Sequence, residues 1–161
     1  MKPTDVGVEF GSGRSTAWFA ARLASLCSIE SNALWYERVK KELTQSGLIA
    51  KVDYRLCEDH LDYVKQIETF QNETIDFCLV DGAVRDQCAL HMLQKIKRGG
   101  LLVIDNVNWF LPNDSTRSPD SRRTATGCTN QIWEEVWQQL KNWRKIWTSN
   151  GISDTGIWFK P

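Results

Sequence analysis

Short apolar runs alternate with amphipathic stretches along the first two thirds of the chain. An apolar run of about five residues is typical of a buried strand, whereas apolar residues spaced i, i+4, i+7 predict one face of a helix. The spacing of Phe19, Leu23 and Leu26 predicts a first helix over Ser15–Leu26, and a second helix is predicted over Ala33–Ser46. The five predicted strands are Val6–Phe10, Leu26–Glu30, Ala50–Leu56, Ile75–Asp81 and Leu101–Asp105.

Residues that begin and end helices agree with this division. Asn32 can cap the second helix and Gly47 can end it. Strands that alternate with helices predict a parallel sheet covered on both faces, which is a Rossmann-like three-layer α/β sandwich. Two further helices follow from the same apolar spacing in Tyr63, Ile67 and Phe70 and in Ala89, Leu93 and Ile96.

The segment Val107–Cys128 breaks the alternation, because it is rich in proline, asparagine, aspartate and serine. Loops of this length inside a compact domain are usually functional or disordered, so we expect a lid-like loop over residues 107–128. The whole chain, residues 1–161, has the length of a single domain. Its last part predicts one helix, with Ile132, Val136 and Leu140 on its face, and strands near Lys145–Ser149 and Gly156–Lys160.

Charge and cysteine content narrow the class of protein. Twenty basic residues balance twenty acidic ones, so the composition gives no reason to expect nucleic acid or an acidic membrane as the main partner. No stretch approaches the ~18 apolar residues of a membrane span, and the N-terminal residues show no secretory signal. The five cysteines are odd in number and lack a C-x-x-C pair, which predicts reduced thiols in a cytoplasmic protein. The oligomeric state is left open.

A glycine pair and an acidic residue follow the first two predicted strands. Gly11 and Gly13 stand between a strand and a helix, where the missing Cβ lets a ligand approach the backbone and the helix start favours an anion. Glu30 ends the next strand, and a carboxylate there can accept the ribose hydroxyls of a nucleoside. An NAD site shares this geometry, but its third glycine would fall at Thr16.

The stretch from Val8 to Thr16 resembles motif I of the class I S-adenosylmethionine (SAM)-dependent methyltransferases. The resemblance implies a seven-stranded sheet whose last strand is antiparallel. It also implies that the glycine loop and the residue matching Ser15 hold the methionine part of SAM, that Glu30 binds ribose, and that the segment after the third strand lies against adenine. The implied cofactor-binding residues are Glu9, Gly11, Ser12, Gly13, Ser15, Glu30, Glu58 and Asp59.

Oxygen-bearing side chains also end the fourth and fifth predicted strands. Asp81, Asp105 and Asn106 should meet at one edge of the sheet, and such ligands suit Mg²⁺. The surrounding sequence is similar to the cation-dependent catechol and caffeoyl-CoA type O-methyltransferases, whose matching residues bind the metal. That family has a lysine base three places after the first aspartate, whereas this chain has Val84 there, followed by Arg85, and an arginine cannot act as a base near neutral pH.

Together these features predict methyl transfer from SAM to an oxygen of a small-molecule acceptor, and the resemblance implies that Mg²⁺ assists the transfer. Asp81 is the expected catalytic residue, as a metal ligand or as a hydrogen-bond acceptor. One alternative is a SAM-binding module without turnover, because the lysine base and the N-terminal helices that cover SAM in the family are both missing near the predicted site. A second alternative is an NAD-dependent oxidoreductase. The lid residues that could stack on an acceptor or clamp an anion are Trp109, Phe110, Arg117, Arg122 and Arg123.

Overall fold

A single seven-stranded sheet forms the centre of the protein. It is seen in a computed structural model that describes residues 1–114 and 118–161. Most inner strand residues are buried, because the sheet carries helices on both faces. The strands are β1 (Val6–Phe10), β2 (Ser25–Glu30), β3 (Val52–Leu56), β4 (Ile75–Val80), β5 (Ile96–Ile104), β6 (Arg144–Ser149) and β7 (Asp154–Phe159).

The strand order is β3-β2-β1-β4-β5-β7-β6. Neighbouring strands from β3 to β5 are parallel, while β7 runs antiparallel between β5 and β6. This arrangement confirms the expected Rossmann-like sandwich, a mostly parallel seven-stranded sheet whose last strand is antiparallel. The order also places the carboxyl ends of β1, β2, β4 and β5 side by side, at the edge where open α/β sheets bind ligands.

Five α-helices and four 3-10 helices connect the strands in the described part of the chain. On one face, the first two helices pack over a cluster that includes Ala20, Leu43 and Phe77, and on the other the last two cover Val8 and Ile104. Within residues 1–114 and 118–161, each helix is too short or too polar to cross a membrane. The helices are α1 (Arg14–Ala20), α2 (Ala33–Gln45), α3 (His60–Tyr63), α4 (Arg85–Lys95) and α5 (Gln131–Leu140), with 3-10 helices at Ile49–Lys51, Val64–Ile67, Val107–Trp109 and Thr124–Thr126.

Some element boundaries differ from those that the apolar pattern predicts. The first helix ends at Ala20 instead of Leu26, because Leu26 already belongs to β2 and points into the core. Strand β5 begins at Ile96, which the apolar spacing had placed on the face of a helix. The buried face of α5 begins at Trp133 and not at Ile132. In each case an apolar residue satisfied two periodicities, and tertiary packing selected one of them.

The segment after β5 is attached to the sheet by buried polar groups. The Asn108 side-chain oxygen accepts the Asp154 backbone N–H at 2.8 Å. The Asp154 carboxylate accepts hydrogen bonds from the hydroxyls of Ser118 and Ser121 and from the Trp147 indole. These bonds tie the start of the predicted lid-like loop, at Asn108, and its interior, at Ser118 and Ser121, to Asp154 of β7. Arg117, which was predicted to line it, lies outside the described residues.

Candidate functional site

The sequence-predicted acidic residues of β1, β2, β4 and β5 lie along one edge of the sheet. The Asp81 N–H donates to the Phe10 carbonyl at 2.8 Å, so the loop after β4 begins beside the end of β1. One strand further along, the Asp105 N–H donates to the Val80 carbonyl at 3.1 Å. The structure therefore brings the glycine loop after β1 next to the loops after β4 and β5, as a site between donor and acceptor would require.

The two glycines of the loop have different structural roles. Gly11 has φ +88°, and a Cβ there would lie 2.7 Å from the Gly82 backbone, so the fold itself requires glycine. A Cβ on Gly13 would meet nothing within 4 Å. Packing therefore does not explain the glycine at position 13.

Glu30 is the most fully hydrogen-bonded carboxylate at this edge among the residues described. Its Oε1 accepts the backbone N–H groups of Ser31 and Asn32, both at 2.8 Å. Its Oε2 accepts the N–H and the hydroxyl of Ser12 at 2.9 and 2.8 Å. A carboxylate offers about four lone-pair sites. A ribose hydroxyl would therefore take the place of the Ser12 hydroxyl.

Two aromatic side chains hold Ser12 in this position, and neither of them was among the predicted site residues. The Trp35 indole N–H donates to the Ser12 carbonyl at 2.6 Å, and the Tyr54 hydroxyl lies 2.6 Å from the Ser12 hydroxyl. Trp35 lies on α2 and is 39% exposed. The alternation along β3 places Tyr54 on the face that α2 covers, and no local pattern could have connected either residue to the glycine loop.

Glu9, at the buried end of β1, is hydrogen-bonded to the start of α1, directly after the glycine loop. Its side chain is fully buried and accepts the hydroxyls of Ser15, Thr16 and Ser28 at 2.6, 2.6 and 2.8 Å. Burial raises the pKa of Glu9 to about 7, and the three hydroxyl donors oppose that rise. Since Glu9 has no exposed surface, it acts on a ligand through Ser15 and the loop backbone. The Thr16 hydroxyl in turn accepts the Gly13 N–H at 2.8 Å.

The predicted adenine-side residues lie at the end of β3. The Asp59 carboxylate accepts the Leu61 N–H at 2.7 Å and so caps the short helix α3. Glu58 and Asp59 are both exposed. They follow Cys57, whose N–H donates to the Glu30 carbonyl at the end of β2 at 2.8 Å. Capping uses only one of the two Asp59 carboxylate oxygens.

Arg85 occupies the space between the ends of β4 and β5. Its Nε donates to the Gly82 carbonyl at 3.1 Å. One terminal nitrogen donates to the Asp105 carbonyl at 2.6 Å and to the Asn106 side-chain oxygen at 2.8 Å. The other donates to the Asp81 carbonyl and carboxylate at 2.9 and 2.8 Å. An arginine has five N–H donors, and all five are used here.

Comparison with known proteins finds solved structures that have a similar fold. No protein-family model matches the sequence, and no curated protein sequence matches it. Among solved structures, the O-methyltransferase TomG of Streptomyces achromogenes, solved with SAM, is 19% identical with a TM-score of 0.68, over 99% of this chain and 74% of that one. A Bacillus cereus O-methyltransferase solved with SAH is 18% identical with a TM-score of 0.67, over 96% and 74%. An rRNA methylase of Streptococcus thermophilus is 11% identical with a TM-score of 0.66, over 99% and 89%.

The chain has the fold of the SAM-dependent methyltransferases. At these identities the similarity concerns the fold alone. Glu30, at the end of β2, lies on one side of β1, next to the loop that contains Gly13. Asp81 and Arg85, which follow β4, lie on the other side of β1.

The arrangement around Asp81 does not fit the Mg²⁺ site that the resemblance implies. Mg²⁺ requires near-octahedral oxygen ligands. Asp81 and Asn106 each give a side-chain oxygen to the Arg85 guanidinium, and Asp105 gives Oδ1 to the Thr155 hydroxyl at 2.7 Å. A dication among these groups would also meet the positive charge of Arg85. These contacts use one oxygen of each side chain, so the three residues as they stand do not fit the metal site predicted at Asp81, Asp105 and Asn106.

The electrostatics of Asp81 reflect the same neighbours. Burial raises the pKa of Asp81 to about 6, Arg85 opposes the rise, and the neighbouring Asp105 adds to it. The side chain nevertheless remains 42% exposed. Asp81 therefore faces the open side of the sheet edge, while Arg85 lies behind it.

Two left-handed residues frame Arg85. Val84 has φ +38° and Asn106 has φ +52°. For a β-branched residue this conformation is a genuine outlier, of a kind that is found mainly at functional sites. At this position the resemblance would place a lysine base. The turn at Val84 starts α4 with Arg85, so the side chain that reaches the site is the next one in the sequence.

A cavity of about 300 Å³ lies beside this group, between the loop after β4 and the start of α5. One wall is aromatic, since Phe110 stacks on Trp133 with ring centroids 5.0 Å apart. Arg122, which was predicted to clamp an anion, donates instead to the carbonyls of Gly127 and Cys128 in its own segment. The lining residues are Gly82, Val84, Arg85, Asp86, Phe110, Thr129, Asn130 and Trp133.

Proposed function

We propose that this protein is an enzyme that transfers a methyl group from SAM to an oxygen atom of a small-molecule acceptor. The observation that carries the proposal is the open space over Gly13, next to the carboxylate of Glu30, in a chain with the methyltransferase fold. The fold supplies the location, and these two residues supply the backbone access and the ribose acceptor that the donor requires.

In this proposal the donor side is formed by the residues that the resemblance implies. Glu30 accepts the ribose hydroxyls after the Ser12 hydroxyl turns away, and the loop from Gly11 to Ser15 holds the methionine part. Glu9 binds no ligand directly and keeps Ser15 in place. Glu58 and Asp59 lie where the adenine would extend. When bound, SAM supplies an electrophilic methyl group.

The acceptor side is formed by Asp81 and the cavity lined by Phe110. The acceptor oxygen takes the methyl group as the carbon–sulfur bond breaks, which leaves SAH, and its proton passes to Asp81 or to water. Most of the rate comes from holding the oxygen in line with that bond. A cavity of about 300 Å³ is at the small end of the range for small-molecule sites.

A small acceptor fits the composition better than nucleic acid does, although one structural neighbour is an rRNA methylase. The formal charge of the chain is zero, whereas nucleic-acid binding relies on a basic surface.

All five cysteines, which lie among the described residues, are free thiols. We take them to support a cytoplasmic location.

Donor binding is tested by calorimetry with SAM, SAH and NAD. SAM and SAH should bind and NAD should not, since Thr16 is fully buried where a dinucleotide loop needs its third glycine. Glu30→Ala should weaken SAM binding at least tenfold, because ligand hydroxyls are left without an acceptor. Glu37→Ala, which removes an exposed acid on α2, is the matched control and should leave the affinity unchanged. Tighter binding of NAD than of SAM would contradict the assignment.

Turnover distinguishes an enzyme from a binding module. Methyl-labelled SAM should label small hydroxylated acceptors when it is screened with the wild-type protein. Asp81→Asn should reduce kcat with little change in SAM affinity, because the side chain lies on the acceptor side. A protein that binds SAM but labels no acceptor in a broad screen would support the binding-module alternative.

A further inference from the structure

The charged groups between β4 and β5 form a closed hydrogen-bonded unit. The Arg85 guanidinium contacts both strand ends, through the carbonyls of Asp81 and Asp105 and through the side chains of Asp81 and Asn106. Its side chain is only 17% exposed. The bonds are short, and charge-assisted pairs of this kind are the strongest in proteins. Arg85 therefore lies in this edge of the sheet as a permanent positive charge.

We infer that Arg85 takes the place that the resemblance gives to Mg²⁺, and that methyl transfer at this site needs no divalent cation. The inference rests on the proposed function for its catalytic half only. Its structural half concerns which cation the oxygens of Asp81 and Asn106 hold. A guanidinium whose five donors all bind the protein positions these two side chains as a bound metal would.

A consequence concerns the acceptor. A divalent cation at such an edge selects acceptors that chelate it through two neighbouring oxygens, because the acceptor completes the coordination shell. Arg85 has no donor left for a ligand, so it offers no second contact. The acceptor oxygen then has only the exposed carboxylate of Asp81 to bind, and a single hydroxyl is sufficient. Acceptors with one hydroxyl should be methylated as well as those with a vicinal diol.

Metal binding can be measured without SAM or turnover. Titration of Mn²⁺ followed by electron paramagnetic resonance should show no saturable site in the wild-type protein. Arg85→Met keeps a side chain of similar length without the charge, and it should raise the Mn²⁺ affinity at least tenfold. Asp81→Asn added to that variant should abolish the gain. Arg85→Lys retains the positive charge and should bind no more Mn²⁺ than the wild type.

The wild-type measurement decides the question even if a variant does not fold. Saturable Mn²⁺ binding by the wild-type protein would overturn the inference, and so would a folded Arg85→Met protein without any gain in affinity. In the activity assay, EDTA should leave the rate unchanged within twofold, and a loss of tenfold or more would overturn the catalytic half. Absence of methyl transfer under every condition would count against the proposed function, while the Mn²⁺ result would still stand.

Discussion

Glu30 and Arg85 are both saturated by hydrogen bonds from the protein, but their partners differ in how easily a ligand can replace them. Glu30 receives three backbone N–H groups and one hydroxyl, that of Ser12. Arg85 donates to three carbonyls and two side-chain oxygens at the ends of β4 and β5 and in the loops that follow them. A hydroxyl can rotate away and let a ribose hydroxyl form the same bond. The partners of Arg85 are parts of the sheet itself.

Under the proposed function, this difference suits the Glu30 side of the edge to binding a ligand and the Arg85 side to positioning the acceptor. On the Glu30 side, exchanging one hydroxyl for another changes the free energy little, because both make one hydrogen bond to the same carboxylate. On the Arg85 side, removing the guanidinium would leave Asp81 and Asn106 without their partner. The donor half can therefore open for each ligand, while the acceptor half keeps its geometry.

Substitution of the two loop glycines should produce the largest effect and separate folding from binding. Gly11→Ala should lower the free energy of unfolding by about 3 kcal/mol, since the left-handed backbone and the contact with Gly82 each cost on the order of 1–2 kcal/mol. Gly13→Ala should stay within about 1 kcal/mol of the wild type but lose SAM affinity at least tenfold. Urea denaturation and calorimetry measure the two quantities. Equal loss of stability in both variants would show that position 13 is also structural.

The free energy of unfolding should depend on pH in opposite ways at two buried carboxylates, because folding lowers the pKa of Asp154 and raises that of Glu9. Asp154 has a lowered pKa, mainly through its hydroxyl and indole donors. Asp154→Asn should cost about 1–3 kcal/mol at neutral pH, and this difference should shrink as the pH falls through the pKa of the folded state. Glu9 has its pKa raised from 4.5 to about 7, so the wild type loses stability as the pH rises over that interval.

Glu9→Gln should therefore decline less steeply than the wild type between pH 4.5 and about 7, and the decline that remains is the one expected from the raised pKa of Asp81. Urea denaturation of both variants and the wild type over this range gives the comparison. Stability curves with the same slope for Glu9→Gln and the wild type would mean that folding does not raise the pKa of Glu9.

The smallest effect is expected at Ser12. Ser12→Ala removes the hydroxyl that occupies Glu30, so SAM should bind roughly threefold to tenfold more tightly, in keeping with the ~1 kcal/mol of one hydrogen bond. Ser15→Ala is the matched change in the same loop, but its hydroxyl donates to Glu9, and it should weaken SAM binding instead. Calorimetry of the two variants should give changes of opposite sign. Weaker binding in both would mean that Ser12 contacts the donor directly.

Local patterns predicted the fold well, and they predicted where the loop with Gly11 and the end of β2 with Glu30 lie. Strand β1 lies where the apolar run places it, and Asn32 caps α2 through the Trp35 N–H at 2.9 Å. Each of these features depends on neighbours within a few residues. Arg85 is different, since its partner Asn106 is separated from it by 21 positions and is reached only once β4 and β5 pair. The aspartate four residues before Arg85 was the one local signal of an ion pair.

The strand order has a consequence for how the protein behaves in concentrated solution. Strands β3 and β6 form the two ends of the sheet and leave backbone hydrogen-bonding groups open to strands of other molecules. Asp53 and Arg55 form an ion pair on β3. On β6, the guanidinium of Arg144 lies 4.1 Å from the Phe159 ring centroid, and Lys145 adds a second cation. Charges on both outer strands oppose the edge-to-edge pairing that leads to aggregation.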